Sequence, residues 1–371
     1  MTAARSARPT RREMVQALMP YAKPDTRLGV KVFVIDLLMF AAAMALALYA
    51  SDLWLRIVGS VLAGLKMNGL YTVGHDAGHG VLTASRRLNK VIACLCYTPA
   101  LFNYRLWHFD HQVIHHVRTQ GPQVDVYRPR SLEAYRAAPW WRRGWERLVR
   151  SFNPIGFAAY ISYHSRIEQS KFFPHRSEHP EQVRRDAWPV VPLVLGYLVA
   201  LLSWFWLRHP GDPAGFAGDV VLGLALPLCV FMNAVALGVY LQHTHPQVPW
   251  FLDADATRAK FDQADLTVNF EMSPLMEYLS HDVMAHQAHH VLPAIPCYRL
   301  RAAQKTLTRL LGDECITARP TDVLAIFRMC KLYDFEHRRW LDFDGRPTTE
   351  SVPLPAVSRA PAERDQLAMA A

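Results

Sequence analysis

Cysteine is scarce and unpaired in pattern. Cys94 and Cys96 form a CxC, Cys229, Cys297, Cys315 and Cys330 are scattered, and no CxxC occurs in the 371 residues. This excludes a disulfide framework and a built-in zinc-ribbon or rubredoxin-like module. Charge is sparse as well: Asp, Glu, Lys and Arg make up 20% of the chain against 51% hydrophobic residues, which excludes a disordered protein. The basic start MTAARSARPTRREM has no apolar core within signal-peptide range. It reads as an unstructured cytosolic tail, with a short organelle transit segment as the alternative. No flavin, Rossmann, cytochrome or iron–sulfur motif is visible, so redox chemistry would need electrons from outside.

Long apolar runs are present in their place. Residues 31–50, 53–74, 188–207 and 219–242 each reach the roughly 20 residues that a bilayer crossing needs. The mean hydropathy of +0.01 is then an average of apolar spans and polar regions. Lys and Arg number 6 in residues 1–28, 17 in 75–186 and 14 in 243–371, whereas the short connections near 51–52 and 208–218 hold only Arg208. By the positive-inside rule the three polar regions are cytosolic, with both termini among them. The net charge of +9 reads as orientation and contact with anionic lipid rather than nucleic-acid binding.

The expected architecture is all-α integral membrane: four transmembrane helices in two hairpins, with a cytosolic helical cap. Residues 1–28 form a cytosolic N-terminal segment, 29–345 the membrane domain, and 346–371 a disordered tail rich in Pro, Ala and Ser. Residues 88–104 and 152–161 read as interfacial or re-entrant helices. Asp36 and Lys66 lie at similar depth in the first two spans. Buried charges in lipid pair or snorkel, and both readings stand at this point.

Histidine, at 17 residues, clusters in three boxes: His75-Asp-Ala-Gly-His79, His111-Gln-Val-Ile-His115-His116 and His286-Gln-Ala-His289-His290. Residues three or four apart share a helix face, so each box projects at least two imidazoles one way. Neutral imidazole suits iron, zinc and copper. The boxes offer about four nitrogen ligands to each of two metals. A zinc-protease HExxH is excluded, because Asp76 and Ala77 occupy the first box. Taken as one helix, 53–79 would be about 40 Å long, longer than the about 30 Å hydrocarbon core. His75 and His79 therefore fall just beyond the cytosolic interface. The fourth span ends likewise in QHTHP, residues 242–246.

These boxes, the four spans, GHDAGHG at 74–80, LQHTHP at 241–246 and HDVMAHQAHHVLPAIPCYRL at 281–300 resemble the membrane fatty acid desaturase family, closest to the acyl-lipid delta-12 type. The resemblance runs over about 30–345 and includes the HHxxPxxPxY pattern of His289, His290, Pro293, Pro296 and Tyr298. It implies a di-iron site in the cap, two Fe2+ held by His75, His79, His111, His115, His116, His286, His289 and His290, with His243 as ninth ligand and His245 as runner-up. The first box departs from the HECGH of the delta-12 group, and His108 adds an extra candidate to the second. Asp76, Asp110 and Asp282 adjoin the boxes as candidates to orient imidazoles, or as surface and cap residues. His164, His175, His179 and His337 read as ordinary. His209-Pro-Gly-Asp212 is rejected as a haem motif for want of room in a short connection.

The implied activity is oxygen-dependent desaturation of a fatty acyl chain that is lipid-, CoA- or carrier-bound. The electron donor would be ferredoxin or a cytochrome b5-type carrier. A hydroxylase, acetylenase or carotenoid ketolase on the same scaffold is the alternative.

Overall fold

The computed structural model describes residues 8–121, 127–162, 173–174, 179–252 and 256–355. The chain is mostly helical. α1 (Arg11–Leu18) opens on a capping box in which Thr10 and Glu13 satisfy each other's backbone amides. The long α2 (Thr26–Tyr49) and α3 (Leu53–Gly78) follow, then α4 (Arg86–Tyr97). A broken helix comes next: α5 (Tyr104–His108), a π-helical segment (Phe109–His115) and α6 (His116–Arg118). α7 (Leu132–Ala137), α8 (Trp140–Val149) and α9 (Pro154–Ser162) form a short-helix region. α10 (Glu181–Ala187) leads into α11 (Val190–Arg208), and α12 (Pro213–Val220) into α13 (Leu226–His243) through a π-helical turn. α14 (Pro274–Ser280), α15 (His286–Val291), α16 (Cys297–Leu311) and α17 (Val323–Met329) complete the helices.

Among the described residues, three helices are long and apolar enough to cross a membrane: Thr26–Tyr49, Glu181–Arg208 and Pro213–His243. They match three of the four expected spans. The fourth, α3, is a helix of 26 residues that falls outside that set and carries Arg56, Lys66 and Asp76. Its position explains the charges. It packs against α2, α4, α13 and α14, and Ala63, Gly64, Lys66, Met67, Leu70 and Val73 are all buried. A helix enclosed by other helices needs partners for its polar groups rather than a wholly apolar surface. Gly59 permits the closest approach, since a Cβ there would collide with Ala47 N on α2.

Two ion clusters hold the long helices together. Lys66 Nζ lies 2.6 Å from Asp36 Oδ1, so the two charges pair. The other oxygen of Asp36 takes a third group, His281 Nε2, at 2.7 Å. At the opposite end, fully buried Asp219 hydrogen-bonds Arg56 at 2.7 Å and His209 at 2.9 Å and forms an ion pair with Arg208 at 3.2 Å. That one carboxylate ties α3, α11 and α12 together.

Three expectations change. The all-α reading gains two small sheets: β1 (Asn269–Phe270) pairs in parallel with β2 (Thr317–Ala318), and β3 (Leu332–Asp334) pairs antiparallel with β4 (Arg339–Leu341). The N-terminal segment is not an unstructured tail over its described part, because Met14 and Leu18 of α1 are fully buried against Ala288, Val291 and Leu307. The boundary at 346 falls within ordered chain: Thr348 N donates to Trp340 O at 3.0 Å and Val352 N to Arg338 O at 2.9 Å. Residues 356–371 of the expected tail lie outside the described residues.

Candidate metal centre

All nine histidines singled out from the sequence converge, in two groups. His75, His79, His111, His116 and His289 make one, and His115, His243, His286 and His290 the other; in each, one ring nitrogen per residue lies within 4.8 Å of all the rest. Local helix geometry explains the sorting. His75 and His79 are one turn apart at the end of α3. On α15, His286 and His290 share a face and enter the second group, while His289 turns to the first. The second box needs its π-helical segment. In an α-helix His111 and His116 would point roughly 140° apart, but i→i+5 winding brings residues five apart closer to one face. Their Nε2 atoms stand 3.1 Å apart, while His115 faces the other group. His243 arrives from the end of α13. His245 does not join: its Nδ1 accepts from the Gln247 amide at 3.2 Å. His108 is also in neither group.

The ring nitrogens face one another closely. His75 and His111 meet at 2.9 Å, His116 and His289 at 3.1 Å, His243 and His286 at 2.9 Å, and His115 and His290 at 3.3 Å. A neutral imidazole has one donor and one acceptor nitrogen, so a hydrogen-bond pattern cannot satisfy five converging lone pairs at once. Neither ring nitrogen of His79 makes a hydrogen bond of normal geometry among the described residues, although both are shielded from solvent. A cation that accepts lone pairs fits this arrangement. The groups adjoin, with the His116 and His290 rings 4.5 Å apart.

Burial first, and mutual repulsion second, hold His79, His111, His116, His286, His289 and His290 well below the ordinary histidine range. They are neutral near pH 7, the ligand form. Trp107 stacks on His111 at 4.7 Å and 16° and meets His75 edge-on at 5.3 Å.

Of the three neighbouring carboxylates, only Asp76 meets a box histidine. Its Oδ1 is 3.0 Å from His75 Nδ1, and its Oδ2 accepts from the Cys297 amide at the start of α16. Asp282 pairs with Arg301 at 2.9 Å. Asp110 pairs with His179 Nε2 at 3.0 Å, so His179, read as ordinary, is a buried partner of the second-box helix. His164 and His175 lie outside the described residues. His337 is a surface residue bonded to Asp334. His281 was missed: it sits in left-handed conformation at the end of α14 (φ 54°), a corner that no local pattern announces. Gln263 also escaped notice; its Oε1 is 3.2 Å from His290 Nδ1. Tyr298 of the HHxxPxxPxY pattern accepts from the Asp25 amide at 2.6 Å and donates to Leu82 O at 3.1 Å, tying α16 to the start of α2.

Apolar helices of membrane-crossing length, ending in paired cages of buried histidine, define a membrane protein with a metal-type centre. The chain belongs to the fatty acid desaturase family, whose model matches residues 52–321. It is 27% identical over 302 residues to an sn-1 acyl-lipid omega-3 desaturase (ferredoxin) of Synechocystis sp., covering 78% of each chain. It is 26% identical to an sn-1 oleoyl-lipid 12-desaturase of the same organism, over 75% of this chain and 76% of that one. An omega-6 fatty acid desaturase, chloroplastic, of Arabidopsis thaliana is 24% identical over 80% of this chain and 63% of its own length. The 12- and omega-6 enzymes are the group to which the motifs pointed.

Proposed function

We propose that this protein introduces a carbon–carbon double bond into a fatty acyl chain carried on a membrane lipid. Family membership makes it an oxidoreductase acting on fatty acyl chains. The observation that carries the fuller reading is the division of nine histidines, most of them buried, into two adjoining cages. In this reading each cage holds one iron, the first through His75, His79, His111, His116 and His289, the second through His115, His243, His286 and His290. Iron, when bound and reduced, supplies the dioxygen chemistry that removes hydrogens from unactivated methylenes.

The chain's own residues do the rest. Asp76 fixes the ring orientation of His75. Burial keeps the imidazoles neutral and water scarce. Tyr71, Tyr97, Trp107 and Phe231 form a continuous aromatic wall from the apolar helices to His75, which supports an acyl chain reaching the first cage from the lipid side. α3 is proposed as the fourth membrane crossing, shielded by its neighbours. The crossings then form two hairpins, with both termini and the cages in a cytosolic cap. Electrons come from a small external carrier; one relative's name specifies ferredoxin.

Expression in a host with simple lipids, followed by mass spectrometry with double-bond location, tests the activity. A new acyl species lighter by two hydrogens is expected. A product heavier by one oxygen would favour a hydroxylase instead.

A further inference from the structure

The surface around α8 is not accounted for by the metal centre. α8 reads WWRRGWERLV. Its inner face seats Trp145, Glu146 and Val149. Its outer face repeats Trp140, Arg143, Gly144 and Arg147 at helical spacing, and these residues line a cleft of about 470 Å³ with Arg136 and Phe343. Three guanidinium groups face this cleft, and Asp344 is the single carboxylate lining it. Two of the cations, Arg136 and Arg147, are held in place. Arg147 lies 4.5 Å over the Phe343 ring and donates to Tyr135 Oη at 2.8 Å, and Arg136 donates to the Asp344 carbonyl at 3.0 Å. Each guanidinium has five N–H donors, so anchoring by one leaves others for a ligand.

The surroundings are apolar yet exposed. Trp140 is 79% exposed, Trp141 53%, and on the following turn and α9 Phe152 is 53% and Ile155 74%. Large apolar side chains displayed together mark a contact surface. Their level in the fold identifies the contact. α8 packs on α9, and α9 on α13, with Phe157 6.4 Å from Tyr240, one turn from the end of the apolar helix Pro213–His243. The platform therefore stands where a membrane-crossing helix leaves the hydrocarbon. Tryptophan and arginine are enriched at that depth, the ring among headgroups and the cation on phosphate.

We propose that the outer face of α8, with Arg136 and Phe343, seats the phosphate of an anionic phospholipid headgroup, Trp140 and Ile155 entering the interface beside it. This rests on the membrane-embedded reading above. A soluble acidic protein is the less suited occupant, because Trp140, Trp141 and Ile155 would add apolar bulk to a contact that charge alone could make.

The test uses the full chain in phosphatidylcholine nanodiscs containing either phosphatidylglycerol or phosphatidylcholine brominated near the headgroup. Subtracting the fluorescence of Trp140→Phe from that of the unaltered protein isolates Trp140. Brominated phosphatidylglycerol is expected to quench this contribution roughly two-fold more than brominated phosphatidylcholine, and Arg143→Ala should abolish the preference. No quenching by either lipid would overturn the proposal and leave the face open to a soluble partner. Equal quenching by both would overturn recognition of an anionic headgroup. Trp54 and Trp206, exposed on the long helices, serve as the control for insertion. If deep-brominated lipid fails to quench them, the membrane reading falls rather than this one.

Discussion

Asp76 ties the end of α3, which carries His75, to the start of α16. One oxygen holds His75 Nδ1 and the other caps α16 through the Cys297 amide. In Asp76→Asn the amide can keep only one of these contacts as an acceptor. Iron affinity should fall about ten-fold or more, within the range seen for partners of metal-bound imidazoles, as measured by competition with a chelator. Acidification acts through other histidines. Burial lowers His108 and His245 to about 4, below the about 6.5 of an unfolded chain. The unfolded state binds more protons between these values, so stability is full above about pH 6.5 and declines as the pH falls towards 4. Melting of the metal-free protein from pH 7.5 to 4.5 should show this decline, to which the buried cage histidines add, and His245→Gln should lessen it. Helical spacing made eight of the nine cage histidines legible, because it betrays a shared face, and the family resemblance supplied His243. Neither revealed His281 or Gln263, whose contacts depend on how distant segments pack.

At the level of helices, the boxes could be found but their winding could not. The HX3HH spacing suits an α-helix for His111 and His115, and nothing local signals the π-helical winding that turns His116 to the first cage. α3 shows a related limit. Its length and apolar run are legible in the sequence, but the partners of its charges, Asp36 for Lys66 and Asp219 for Arg56, come from distant helices. The sequence leaves pairing and snorkelling of Asp36 and Lys66 both open; the structure pairs them and makes a triad with His281. Gly69 makes room for it, as a Cβ there would lie 2.5 Å from Asp36 Oδ2. A double-mutant cycle of Asp36→Asn and Lys66→Met should give a coupling of about 1 kcal/mol or more, as for other contacting buried pairs. Denaturation in detergent measures it, and additive single changes would mean that the pair contributes nothing.

Across the whole molecule, the apolar helices and the polar segments between them have different tasks. The helices bring the ends of α3 and α13 to one level. α15 and the second-box helix, both from polar regions, then close over those ends and supply the remaining imidazoles. Hydropathy marked the helices well, since apolar runs of this length have few other uses. It marked the polar regions poorly: α1, the small sheets and residues 346–355 are held by tertiary burial and long-range hydrogen bonds, as where Met14 meets Ala288. The central claim is that the two cages hold two irons. Metal analysis of purified, active protein tests it most directly, together with His286→Ala/His290→Ala, which strips the second cage of half its ligands. Two irons per chain are expected in the unaltered protein and one in the double variant. Fewer than two irons in fully active protein, or two retained by the variant, would contradict the account.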